Sequence, residues 1–481
     1  MRAPAFDFPE RRLFVRLFGK DVYAVGGFVR DLVRGRPSPD VDVLVARRDL
    51  ATVVRKLERH GRVDLVGKSF GIVKFTVRGR TYDVALPRTD RAAGREVPGH
   101  KDILVAADPG LPVEKDLERR DFRTNSMALR LEDGALIDPF GGRADTLARR
   151  IRLTNPAAFP DDPLRVLRVA RFASVLGFRV DPAIYPAARA VDLSGLSLER
   201  VVDELFKVLL RSPRPSVGLE EMFRLGVLEQ RFPELQALAL VIQDSLFHPE
   251  KDAYGHHTVW AHTKLAVDQA AALAGLRGLA EPRRLALLLA ALYHDLGKAS
   301  TTRWEYKRGR MAVTSCGHDI QSERAARRAL ARFGIRTWGG YDLGRMVPLL
   351  IRTHHRAGEL WANRAEVTKK AFNRLAAEVR GEIELVVLLD AADRAGRASR
   401  LVRGLDRQAR WLFEKFEELR VNRETIKPLV MGRDLIALGV PPGPEMGRLL
   451  KKLYRAQLDN AFETRAQGLA KARRLVERKA P

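Results

Sequence analysis

Residues 23–45 read YAVGGFVRDLVRGRPSPDVDVLV, and the order of their parts restricts this chain more than any other stretch does. Tyr23-Ala24-Val25 is a short apolar strand running into Gly26-Gly27, and Val29-Arg30-Asp31-Leu32-Val33 has helical character with Gly35 as its stop. In such a turn backbone N–H groups can approach an anion, and a helix start favours the same charge. Downstream, Asp40 and Asp42 alternate across Val41. In an extended strand both would project from one face, close enough to share a divalent cation. Glycines that cradle a triphosphate and carboxylates that hold magnesium against it are complementary halves of one site. Each half taken alone also reads as an ordinary turn or as a solvated strand end.

Further motifs follow in order. Residues 116–152 read DLERRDFRTNSMALRLEDGALIDPFGGRADTLARRIR and residues 161–172 read DDPLRVLRVARF. Together with GGFVRDLVRG and DVDV they resemble the class II tRNA nucleotidyltransferase and bacterial poly(A) polymerase family, over roughly the first half of the chain. The resemblance implies a polymerase-β-like nucleotidyltransferase head that extends RNA 3′ ends without a nucleic-acid template. It makes Asp40 and Asp42 the catalytic carboxylates, holding Mg2+ that activates the 3′-hydroxyl and neutralises the triphosphate. Asp83, in the strand-like run Thr81-Tyr82-Asp83-Val84, is the candidate third carboxylate.

The same resemblance assigns Gly26, Gly27 and Arg30 to nucleotide binding. Arg119 and Arg120 offer guanidinium forks for phosphates, and Asp121 with Asn125 offers partners for a ribose hydroxyl; a structural ion-pair cluster is the alternative. Asp161-Asp162-Pro163-Leu164-Arg165 fits the family's base-reading motif, with Asp161 replacing the more usual glutamate. Pro163 suits a first helical turn, which puts Asp162 and Arg165 on one face to meet a Watson–Crick edge. A capped helix start with an intrahelical Asp–Arg pair is the plain alternative. Arg168 and Arg171 continue the basic helix, each either a nucleotide-phosphate contact or simply exposed.

Most of the histidines collect between Asp252 and Arg400, in YGHHTVWAHTKLAVD (254–268), LYHDLGK (292–298), GHDIQSE (317–323) and RTHHR (352–356), with LDAADR at 389–394. An adjacent His-Asp at the end of an apolar helix, with a histidine before it and an aspartate well after, resembles the HD metal-dependent phosphohydrolase superfamily. The resemblance implies that His262, His294, Asp295 and Asp393 ligate a metal. Imidazole with carboxylate suits Mn, Ni, Fe, Zn or Mg. Lys298 is a candidate phosphate contact, and His318, His354 and His355 are either second-metal or phosphate contacts or structural histidines. In relatives joining a nucleotidyltransferase to an HD domain, this module is associated with phosphatase or 2′,3′-cyclic phosphodiesterase activity.

The formal charge of the 481 residues is +26, with 86 basic against 60 acidic side chains, which suits a polyanionic partner such as tRNA. Arginine outnumbers lysine, a bias that genomic base composition also produces, so the charge is a supporting argument. One cysteine, Cys316, excludes an intramolecular disulfide and a cysteine-rich zinc site. The start, MRAPAFDFPERRLFVRLF, lacks a leader pattern, and no stretch reaches the ~18–20 apolar residues that span a bilayer. A cytoplasmic protein with no membrane partner is expected.

The expected fold is an α/β (α+β) head with a small mixed sheet, followed by an all-α remainder. The expected domains are 1–150 (nucleotidyltransferase head), 151–240 (neck and body helices), 241–400 (HD) and 401–481 (helical tail). The expected function is CCA addition to tRNA from CTP and ATP, with an HD phosphohydrolase. Poly(A), A-only and CC-only addition share these motifs, and an HD hydrolase with a nucleotide-sensing head is the alternative of another class.

Overall fold

The computed structural model describes residues 7–38, 40–65, 72–92, 103–307, 309–419 and 427–477, with backbone alone at 90–92 and 103–107. The expected helical tail 401–481 takes in 420–426 and 478–481, which lie outside the described residues, as do the first six residues. The chain divides into two compact units, Met1–Phe232 and Pro233–Pro481.

The N-terminal unit is built on a mixed seven-stranded sheet of order β3-β4-β5-β2-β1-β8-β9. Its strands are β1 (Val22–Val25), β2 (Asp42–Val45), β3 (Arg62–Leu65), β4 (Ile72–Val77), β5 (Arg80–Ala85), β8 (Ala128–Arg130) and β9 (Leu136–Ile137). A separate hairpin joins β6 (Arg88–Ala92) to β7 (Ile103–Ala107). Within the sheet β2 and β5 are parallel and the remaining pairs antiparallel.

Alternation along the strands sorts side chains onto two faces. Val22, Ala24, Val43, Val45, Phe75, Tyr82 and Val84 pack with Phe14 and Phe18 of the helix Arg11–Phe18 and with Val53 and Leu57 of the helix Leu50–Glu58. Each such buried side chain contributes about 1.5–3 kcal/mol. Tyr23, Val25 and Leu44 point the other way, against Val113 and Leu117 of the helix Val113–Glu118. Asp42 shares the parity of Leu44, so it stands on this second face at the open end of β2.

After the sheet, β10 (Arg150–Ile151) pairs in parallel with β11 (Arg179–Val180), and the helices Leu164–Leu176, Leu198–Arg211 and Pro215–Arg224 pack on one another. Leu198–Arg211 begins at Ser197, whose hydroxyl accepts from the Arg200 amide, and buries Val201, Leu205, Val208 and Leu209.

The C-terminal unit centres on the helices Val259–Leu276, Glu281–Tyr293, Leu343–Thr353 and Ile383–Ala395. It departs from the expected all-α composition in two places. A hairpin joins β12 (Arg303–Lys307) to β13 (Arg310–Thr314), and a shorter one joins β14 (Thr337–Trp338) to β15 (Tyr341–Asp342). The first turns at Gly309, whose φ of +80° suits glycine. The tail helices Gly432–Ile436, Pro444–Leu458 and Arg465–Glu477 close a small core of their own around Leu435, Leu449 and Leu453. No helix among the described residues is long and apolar enough to cross a membrane.

Gly142 opens the helix Gly142–Leu147, and a Cβ there would lie 2.1 Å from the Arg123 carbonyl oxygen and 2.9 Å from Met127 Cγ. The turn it presses on, Arg123–Asn125, carries a cleft residue. Gly142→Ala is expected to cost about 1–3 kcal/mol by overpacking, lowering Tm by roughly 2–12 °C in a thermal melt.

Candidate functional sites

The parallel register of β2 and β5 sets Asp42 directly beside Asp83, and the antiparallel register of β1 sets Val25, at the start of the glycine turn, beside Asp42. Neighbouring strands lie about 4.8 Å apart, so two carboxylates share one level of one face, with Asp40 preceding them in the chain. Desolvation in the cleft raises the Asp42 pKa; Arg120 opposes this, while Asp83 and Asp40 add to it. Lys74, opposite Asp83 on β4, donates to its carboxylate at 3.1 Å.

Gly26 has φ +68°, and a Cβ there would lie 3.1 Å from Arg120 Nη1 and 3.4 Å from Asp42 Oδ2. Backbone, guanidinium and carboxylate therefore meet closely, and a side chain here would press on Arg120 in addition to the strained φ. Arg119 and Arg120 are steadied by Asp116, fully buried, at 2.6 and 3.2 Å. Burial opposes the Asp116 charge, but the two guanidinium groups hold its pKa below the usual carboxylate range.

A second chain of polar contacts runs along the wall. Arg30 bonds Asp31 at 2.8 Å and donates to Asn125 at 2.9 Å, Asn125 donates to Asp121 at 3.1 Å, and Arg168 reaches Asp121 at 2.6 Å. Asp121 is buried, and Arg168 with Asn125 keeps it ionised against that burial. Phe172 lies under Arg30, Arg168 and Arg171, with centroid distances of 5.6, 5.4 and 4.3 Å. This stacks cationic charge on an aromatic face.

Asp162 and Arg165 line the same cleft, and each side chain is bonded to a different partner. Asp162 lies just before the helix Leu164–Leu176 and accepts from Arg200 at 3.0 Å, while Arg165 donates to the carbonyls of Ala158 and Arg119. Asp162 also accepts from the Leu164 amide at 3.2 Å. One cleft of about 1260 Å³ is nonetheless lined by Gly26, Gly27, Arg30, Asp40, Asp42, Arg119, Arg120, Asp121, Asn125, Asp162, Arg165 and Arg168. It is larger than the ~300–1,000 Å³ of ordinary small-ligand pockets. Sequence reasoning missed Arg200, Lys74 and Phe172. Only Arg200 carried a signal, its place in the first turn after the Ser197 cap.

The C-terminal unit gathers His262 from the helix Val259–Leu276, His294 and Asp295 from the end of Glu281–Tyr293, and Asp393 from Ile383–Ala395. His262 Nε2 is 2.9 Å from Asp393 Oδ1 and 4.0 Å from Asp295 Oδ2; His294 Nε2 is 3.7 and 3.3 Å from the same two atoms. His294 Nδ1 is anchored on the Ala291 carbonyl at 2.9 Å, which aims Nε2 inward. His262 Nδ1 lies 2.8 Å from Glu250, which also accepts from His248 at 2.9 Å. A proton on Nδ1 facing a carboxylate leaves Nε2 free as a ligand. The buried His294 Nε2 has no hydrogen-bond partner, as befits a donor set built for a cation.

Asp295 faces two groups. Its Oδ2 serves His262 and His294, and its Oδ1 lies 3.5 Å from His318, whose Nε2 is 3.2 Å from that of His355. His318, His354 and His355 also offer converging nitrogens, and the buried His354 Nε2 lacks a partner. Lys298 is spent on Asp295 at 2.8 Å and on Gln243 at 2.7 Å. Gly297 is required here, since a Cβ would meet the His318 carbonyl at 2.2 Å. Glu250 and His248 carry no sequence motif and were missed.

Two expectations follow. Gly26→Ala meets both a left-handed backbone cost of about 1–2 kcal/mol and the Arg120–Asp42 approach, so nucleotide affinity measured by calorimetry should fall roughly tenfold or more. In the histidine cluster, burial opposes an imidazolium at His294, but Asp295 and Asp393 overcome it and raise the pKa to about 10. A bound cation must displace that proton, so divalent-metal affinity should strengthen from pH 6 to pH 9. Calorimetry in buffers of different ionisation enthalpy should register proton release.

Comparison with known proteins follows the same division. A family model for the poly A polymerase head domain matches residues 22–152, one described as a probable RNA and SrmB-binding site of polymerase A matches 177–238, and an HD-domain model matches 259–397. The multifunctional CCA protein of Methylococcus capsulatus is 34% identical over 445 residues, covering 90% of this chain and 92% of that protein. The Stenotrophomonas maltophilia protein of the same description is 39% identical over 294 residues, covering 60% of this chain and 66% of that protein. Among solved structures, the CCA-adding enzyme of Bacillus stearothermophilus in complex with CTP superposes with a TM-score of 0.60 at 22% identity, covering 98% of this chain and 100% of the other.

Proposed function

This chain belongs to the family of the multifunctional CCA proteins, and from that premise we propose that it builds the CCA end of tRNA from CTP and ATP without a nucleic-acid template, while its HD module hydrolyses phosphoesters at RNA ends. The observation that carries the first activity is the convergence of Asp40, Asp42 and Asp83 with Gly26 and Arg120 at one cleft. Asp40 and Asp42, with Asp83 beside them, hold magnesium, which supplies charge neutralisation for the triphosphate and acidifies the attacking 3′-hydroxyl. Arg119 and Arg120, pre-set by Asp116, bind the phosphates. Asp121 and Asn125 orient the ribose, and the Arg30 and Arg168 contacts keep both in place.

Asp162 and Arg200 present an acceptor and donors toward the incoming base, while Arg165 fixes the start of the helix Leu164–Leu176 against the Arg119 carbonyl. Protein thus reads the base directly, by hydrogen bonds that an ill-fitting base leaves unmade. We assign 1–150 to the nucleotidyltransferase head, 151–240 to the neck and body helices, 241–400 to the HD module and 401–481 to the tail, and place the protein in the cytoplasm with its tRNA substrate.

In the HD module His262, His294 and Asp393, with Asp295 beside them, would hold a divalent metal, which would supply Lewis-acid polarisation of a phosphoester and an acidified water. Glu250 holds His262 in the ligating tautomer, and Lys298 holds the Asp295 carboxylate in place. A phosphate or cyclic phosphate on an RNA end blocks the 3′-hydroxyl that the head requires, so hydrolysis and extension act on the same terminus. The alternative, a hydrolase whose head only senses nucleotide, leaves a complete carboxylate set without a purpose.

Incubation with tRNA lacking its last three nucleotides, with each NTP singly and together, should give growth by CCA and then arrest; unlimited A addition to any RNA would mark a poly(A) polymerase. Addition stopping after A alone or after CC would mark the other relatives. Asp42→Ala should lower nucleotide incorporation by at least about a thousandfold yet spare phosphohydrolysis, and Asp295→Ala should do the reverse. Loss of both activities from either change overturns the two-site reading.

A further inference from the structure

The hairpin β12–β13 is amphipathic the wrong way round for a soluble core. In its register Trp304 faces Val313 and Tyr306 faces Met311, so these four share one side, while Arg303, Glu305, Lys307, Arg310, Ala312 and Thr314 share the other. The polar side is the one seated on the protein: Ala312 is buried, and Arg310 bonds Asp244 at 2.8 Å. The aromatic side is left to water, with Trp304 65%, Tyr306 72% and Met311 53% exposed. A contiguous apolar patch of this kind marks a binding surface.

Its position says for what. The hairpin leaves the chain between Asp295 and His318, whose side chains lie 3.5 Å apart, and its root is clamped by a Thr302–Ser315 hydroxyl pair at 2.7 Å. Ser315 also accepts from His318 Nδ1 at 2.8 Å. On the other side Gln243 bonds Lys298, the partner of Asp295, while the adjacent Asp244 bonds Arg310 of the hairpin. The surface is thus anchored at both ends to the residues of the histidine cluster.

We propose that this face is a stacking platform for unpaired bases of an RNA whose 3′ end enters the histidine cluster. Trp304 and Tyr306 stand about 6.5–7 Å apart along one strand face, which offers successive bases separate rings. Behind the aromatic face the strands carry three basic residues, Arg303, Lys307 and Arg310, against one acidic residue, Glu305. Arg303 and Lys307 share the single carboxylate of Glu305, at 3.3 and 2.6 Å, and their side chains remain 65% and 50% exposed. Stacking reads no sequence, which suits a site acting on the ends of many RNAs. The proposal rests on the hydrolase reading of the cluster and names its substrate as an oligonucleotide end.

The test uses the full chain loaded with Mn2+ and two substrates, a single-stranded RNA heptamer ending in a 2′,3′-cyclic phosphate and adenosine 2′,3′-cyclic phosphate. Stacking on protein aromatics is worth about 1–3 kcal/mol per base, or about 5–150-fold. Trp304→Ala and Tyr306→Ala should each lower the ratio of kcat/KM for the heptamer over the mononucleotide by a factor in that range, mostly through KM. Trp304→Phe and Tyr306→Phe should restore most of it. An unchanged ratio in the double alanine variant overturns the platform, as does a heptamer-independent shift from dimer to monomer in sedimentation, which would assign the face to a second copy of the chain. If neither substrate is hydrolysed, the hydrolase reading fails and the platform is judged by fluorescence: the heptamer should quench the parent protein more than Trp304→Phe, and equal quenching overturns it.

Discussion

Three carboxylates facing one cleft repel one another, and the N-terminal unit is arranged around that repulsion. The parallel pairing of β2 with β5 forces Asp42 and Asp83 to one level, and the raised pKa of Asp42 records the strain of desolvating charge beside like charge. The relief comes from cations. Arg120 stands across from Asp42, held there by Asp116, and Lys74 donates to Asp83. Gly26 is favoured by its φ of +68°, and both Arg120 and Asp42 approach its Cβ position. A strand register thus explains a buried acid, a lysine and a glycine that have no sequence connection.

The C-terminal unit solves a similar problem with imidazole. His294 is aimed by a backbone carbonyl and His262 by Glu250, so their Nε2 atoms meet two carboxylates that carry opposite charge when the rings are protonated. Glu250 is itself kept ionised: burial opposes its charge, but His248 and His262 bring its pKa down to about 2. The ligand set is therefore fixed before any ion arrives, which lowers the ordering cost of binding one.

Local periodicity made much of this legible. Asp40-Val41-Asp42 announces a shared face, Gly26-Gly27 a tight turn, and LYHDLGK the end of an apolar helix, because each is a short-range pattern with a short-range cause. What stayed hidden depends on contacts distant in sequence. Asp162 meets Arg200 from a separate helix, Lys74 meets Asp83 across the β4–β5 pair, and Glu250 reaches His262 across a loop. The β12–β13 hairpin was illegible for another reason. RWEYK alternates as a strand should, but with its aromatic face outward, against the pattern by which burial is inferred.

The clamp at the root of that hairpin separates two kinds of change. Thr302 and Ser315 close the loop before the strands begin, and Gly297 packs directly on the His318 backbone beneath them. Residues beyond the clamp can be lengthened, shortened or exchanged while Asp295 and His318 keep their places. The chemistry and the choice of substrate are thereby mounted on different parts of the same loop, and one can drift under selection without dismantling the other.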